Sequence, residues 1–148
     1  MSIPEFEIMK DNVCGLPVSY SWRGHGAAIF LEFGALSKDP KKNHPVGEYS
    51  LMLDCEWRVE GNNSILCGSF SEKDMIDTRL EQLLGECVTG IEISGCLPEI
   101  AICLSSDLRL VSFTADAGQP EWTVFLPDRS CLCCVDGDVV LQTAEKNE

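Results

Sequence analysis

Cys131, Cys133 and Cys134 put three metal-ligating side chains within four residues. On a strand, Cys131 and Cys133 project to one side and Cys134 to the other, because side chains alternate. Two same-face thiols supply half of a zinc site. A structural zinc site takes four nitrogen or sulfur ligands, commonly as two closely spaced pairs. The sequence has no second pair at that spacing. The cluster therefore stands as an alternative, a thiol- or metal-dependent site, with thiol oxidation as its other chemistry.

Asp54 and Glu56 are a carboxylate pair, and paired carboxylates do acid–base work when their separation suits a substrate. Arg58 follows at the same spacing, so the set reads more simply as a solvated sheet face with a partial salt bridge. His25 and His44 sit in turn or loop sequence, outside any nucleophile elbow, zincin helix or Walker loop. The chain reads as non-catalytic, and no cofactor is expected.

Charge is the remaining chemistry. Acids outnumber bases 24 to 11, giving −13 and a pI near 4.4. That excludes the basic footprint of a nucleic-acid binder. Residues 71–86 carry five acids against Lys73 and Arg79, and residues 116–148 carry seven against Arg129 and Lys146. Such surfaces maintain solubility and also steer basic partners. Glu72, Asp74 and Asp77 are the first choice for partner contact, because one helix presents them together. Residues 34–47 are the only locally basic stretch, with Lys38, Lys41, Lys42 and His44. They form a long polar loop, either a solvated hairpin tip or a contact loop.

These residues need elements to hold them. The dominant period is two, the strand signal. Leu16, Val18, Tyr20 and Trp22 share a face, and Gly24-His25-Gly26 turns the chain into a second strand carrying Ile29, Leu31 and Phe33. Alternation runs through residues 49–60. Tyr49, Leu51, Leu53, Cys55, Trp57 and Val59 lie on the dry side, which makes Trp57 core. One helix is expected at 72–84, with Ser71 as N-cap, the stripe Ile76, Leu80, Leu83 and Leu84, and Gly85 as terminator. Short strands then follow to 141, with Asp136-Gly137-Asp138 as the last turn. No repeat at fixed period is visible. The expected class is α+β: mostly antiparallel sheet of about ten short strands, as a meander or half-barrel, with one helix.

A length of 148 residues with 45% apolar and 24% charged residues suits a single domain over 1–148, with a frayed tail at 143–148. No apolar stretch approaches the ~20 residues of a membrane helix. The first twelve residues carry three acids and no apolar core, so they do not read as a signal peptide. A cytoplasmic location is expected, with the nine cysteines reduced and mostly buried.

The segments CEWRVE, CGSFSEKDMIDTRLEQLLGECVTGIEI, DLRLVSF and EWTVFLPD resemble, in that order, a family of small uncharacterised bacterial domains. The resemblance spans residues 48–128 and transfers no site residue; some proteins of similar size and composition act as immunity proteins. The acidic charge and the absence of catalytic machinery make the expected function a non-catalytic, immunity-like binding protein that neutralises a basic partner such as a toxin. The runner-up readings are activity at Cys131, Cys133 and Cys134, or a structural domain.

Overall fold

The computed structural model describes residues 3–143; the expected frayed tail lies outside them beyond Thr143. The elements are α1 (Pro4–Val13), β1 (Val18–Arg23), β2 (Ile29–Phe33), β3 (Tyr49–Leu53), β4 (Trp57–Gly61), β5 (Ser64–Gly68), α2 (Lys73–Gln82), β6 (Val88–Ser94), β7 (Glu99–Leu104), β8 (Leu108–Ser112), β9 (Trp122–Phe125), β10 (Cys131–Val135) and β11 (Asp138–Gln142). The strands form two antiparallel sheets, ordered β1-β2-β3-β9-β10-β11 and β5-β4-β8-β7-β6. One core cluster draws on both sheets and both helices, with Trp57, Leu31, Leu51, Ile102 and Leu132 among its most buried members. The α+β class and the antiparallel sheet stand. Among the described residues there are eleven strands and two helices rather than ten and one.

The additional helix is α1. Pro4 opens its first turn, where a missing N–H costs nothing, and Glu5 and Glu7 suit the positive end of the dipole. Phe6, Met9 and Val13 form its buried stripe. α2 is shorter than 72–84. Ser71 does not cap it: the Ser71 hydroxyl accepts the Gly68 N–H at 3.0 Å, and Glu72 is the N-cap residue without a side-chain cap bond. Leu83 is buried, whereas Leu84 is 41% exposed. Gly85 sits at φ +89°, the left-handed conformation that ends a helix without Cβ strain.

Residues 49–60 are not one strand. The chain leaves the first sheet after Leu53 and begins the second at Trp57. Alternation survives the corner because the inner faces of both sheets meet the same core, and Leu53 and Trp57 are an even number of residues apart. β1 also departs from simple alternation. A bulge between Val18 and Tyr20 keeps Val18 in the core but moves Tyr20 and Trp22 to the outer face.

The fold contains an internal repeat. A helix, a three-stranded meander and a crossing into the opposite sheet occur twice: α1, β1–β3 then β4–β5, and α2, β6–β8 then β9–β11. The hydrogen bonds are reciprocal. Gly15 N–H donates to Val88 O and Gly85 N–H to Val18 O, each at 2.8 Å. Phe113 N–H donates to Glu56 O and Asp54 N–H to Glu121 O, each at 2.9 Å. The β1 bulge has its counterpart between Val88 and Gly90. The helices are exchanged, since α2 packs on β1 and β5 while α1 packs on β6. The units lie 70 residues apart at Val18 and Val88 but 65 apart at Trp57 and Trp122. Unequal connections erase any fixed period: residues 34–48 match 105–107, and 54–56 match 113–121.

Candidate functional site

The two units differ most on their outer faces. On the second sheet, Arg109 bridges Glu60 and Glu92 at 3.4 and 3.2 Å, and Arg58 holds Glu60 at 2.8 Å. This is a solvated charge lattice. On the first sheet, the positions matching Glu92, Ala101 and Cys103 hold Trp22, Phe30 and Glu32. Trp22 and Phe30 stack with centroids 3.8 Å apart and planes within 3°.

Over this aromatic face folds the long β2–β3 connection, where the second unit has only a tight turn. The connection is an ordered extension of the hairpin. Ser37 and Val46 exchange backbone hydrogen bonds at 2.8 and 2.9 Å, and Glu48 accepts the Ala35 N–H at 2.8 Å. His44 lies against Trp22 with centroids 4.1 Å apart. Glu32, 1% exposed, ties the connection to the sheet. Its carboxylate accepts the Gly47 N–H at 3.0 Å, the Trp22 indole N–H at 3.1 Å and the Ser50 hydroxyl. A buried carboxylate persists only when its lone pairs are occupied in this way.

Between loop and sheet lies an open cleft of about 1030 Å³. Trp22, Phe30 and Phe125 line it from the sheet, and Lys38, Lys41, Lys42 and Arg129 also line it. Arg23, Arg58 and Arg109 are all ion-paired, whereas these four cations have no carboxylate partner among the described residues.

The residues expected to carry function are not brought together. Glu72 and Asp74 are exposed at the start of α2. Asp77 is engaged: Arg23 donates to it at 2.6 and 3.2 Å, stapling α2 to β1 and holding its carboxyl below the usual range. Phe70, immediately before the helix, is 83% exposed, and Met75 within it is 50% exposed. Cys131 and Cys133 share the outer face of β10, opposite Phe125 and Thr123. Cys134 is buried on the inner side. Burial pushes all three thiols up, away from the reactive thiolate. Among the described residues, no three His, Cys, Asp or Glu side chains are placed to share a metal ion. Asp54 and Glu56 fall at the corner between sheets, and Glu56 accepts the Ala115 N–H at 2.9 Å.

No family model, curated protein or solved structure matches this chain. Its function is argued from its own residues. Sequence reasoning singled out the basic loop but not its floor. The available signal was Glu32, an acid flanked by Leu31 and Phe33 in a strand otherwise apolar.

Proposed function

We propose that this is a non-catalytic acidic binding protein of the immunity type, which holds a basic protein partner such as a toxin in the cytoplasm. The observation that carries this reading is Phe70, 83% exposed at the corner between β5 and α2 and followed by exposed Glu72 and Asp74. A solvent-facing aromatic supplies the apolar anchor that dominates interface energetics. The flanking carboxylates supply steering and orientation. Asp77 belongs to the helix staple rather than to the contact, because Arg23 already neutralises it.

The test is capture from the native host with wild type and with Phe70→Ala and Glu72→Lys/Asp74→Lys as baits, followed by association rates at low and high salt. A basic protein retained by wild type, lost by both variants and slowed by salt supports the proposal. An acidic partner, or equal retention by all three baits, overturns it.

A further inference from the structure

We infer that the cleft between the β2–β3 connection and the outer face of the first sheet binds a small organic anion with a flat apolar body. Three independent observations point there.

The first is charge. This molecule has more than twice as many acids as bases. Among the described residues Arg23, Arg58 and Arg109 form salt bridges, whereas Lys10, Lys38, Lys41, Lys42, Lys73, Arg79 and Arg129 form none. Four of those unpaired cations, Lys38, Lys41, Lys42 and Arg129, line one cavity. Among the described residues the carboxylates lining it are Glu32 and Asp39, and both accept backbone N–H groups, from Gly47 and Lys41. A cationic cleft on a strongly anionic protein concentrates anions locally.

The second is shape and surface. The cleft has an aromatic floor of Trp22, Phe30 and Phe125 within a mainly polar and charged lining; it is more polar than the usual small-molecule site, which suits a charged ligand. The matching face of the other unit carries a salt-bridge lattice under a tight turn. The loop and the aromatic floor therefore occur together, in one unit only.

The third is backbone conformation at Arg129. Among the described residues six non-glycine residues have positive φ; four are Asn or Asp, the types that tolerate it best, and a fifth is Ser106. The sixth is Arg129, φ 71°, in the β9–β10 turn. Glycine would fit that turn without strain, yet a long cation stands there and lines the cleft.

A ligand matching these features presents an aromatic or aliphatic body to Trp22, Phe30 and Phe125 and its sulfonate, phosphate or carboxylate to the cations. Fluorescence titration with 8-anilinonaphthalene-1-sulfonate, set beside its uncharged analogue N-phenyl-1-naphthylamine, tests this. The expected result is one saturable site for the sulfonate, weakening as salt rises and weaker for the neutral analogue by about tenfold. Lys41→Glu/Lys42→Glu is expected to weaken the sulfonate by about tenfold or more, while Lys10→Glu, outside the cleft, leaves it unchanged. Arg129→Gly separates binding from folding: its denaturation midpoint is expected to rise as φ strain is relieved, while sulfonate affinity falls. Equal binding of the neutral probe, unchanged affinity in the charge-reversed variant, or no saturable site overturns the inference.

Discussion

Trp57 and Trp122 reach across the core in opposite directions. Trp57 starts β4 in one sheet and donates its indole N–H to the Ala27 carbonyl in the β1–β2 turn of the other, at 2.8 Å. Trp122 starts β9 in that other sheet and donates back to the Pro98 carbonyl in the β6–β7 turn, also at 2.8 Å. They are equivalent positions of the two units, and both are at most 1% exposed.

Trp57→Ala and Trp122→Ala are therefore expected to destabilise similarly, by about 3–5 kcal/mol each. That is a large part of a domain's ~5–15 kcal/mol. Replacement by Phe keeps most of the apolar body but leaves the turn carbonyl unpaired, at about 1–3 kcal/mol. Urea midpoints check this, and an unchanged midpoint for either alanine variant would contradict the pairing.

Glu32→Gln is expected to release the β2–β3 connection. The amide nitrogen must then face the Trp22 N–H or the Gly47 N–H, and a buried donor loses its acceptor, at about 1–3 kcal/mol. Trypsin cleavage after Lys38, Lys41 or Lys42 in the native protein is expected to accelerate roughly fivefold or more, since such cleavage follows the open population. Cleavage at the wild-type rate would show that Glu32 does not hold the loop.

The staple between Arg23 and Asp77 is expected to show in the acid limb of stability. The Arg23 guanidinium lowers the Asp77 carboxyl from its ordinary 3.8. A depressed folded-state value gives stability that is present above 3.8 and lost as pH falls through the lowered value. Asp77→Asn is expected to lower the urea midpoint at neutral pH, with the difference closing as pH falls below 3.8 and through the lowered value. A difference that persists undiminished in acid would assign the loss to helix packing instead.

Thiol reactivity is expected to be graded. Cys96 is exposed and Cys67 and Cys134 are buried, with the other six between. Cys55 sits in the corner between sheets, where burial pushes its thiol up to about 11. At neutral to mildly alkaline pH it therefore holds little thiolate. Iodoacetamide with peptide mapping is expected to find Cys96 first and Cys55, Cys67 and Cys134 last, with all nine labelled after unfolding. Early labelling of Cys55 would show that the corner opens.

The elements most legible in the sequence had a clean period and a boundary residue. Gly85 ended α2, and Asp136-Gly137-Asp138 reversed β10 into β11. The helix α1 was equally legible from Phe6, Met9 and Val13 at helical spacing, but it lies almost wholly in the first twelve residues, whose composition bears on targeting as well as on structure. The corner after Leu53 was not legible, because period two continues through it. The separation of Trp22 from the face of Val18 was not legible, because a bulge changes parity without changing composition. The repeat escaped because connections of different length shift one unit against the other. The cleft depends on residues from β1, β2, the loop and the β9–β10 turn, which only the sheet order brings together.

The twofold exchange between units makes this chain divisible. A cut in the connection between β5 and α2 would give two fragments, each with strands belonging to both sheets. β3 and β4 of one would lack their ladder partners β9 and β8 in the other. Each fragment would also keep the helix that covers its counterpart. Neither could satisfy its own backbone edges, and each presents the complementary edges and the missing helix to the other. Two separately expressed pieces, with the break placed beside Phe70, are thus expected to reconstitute one another.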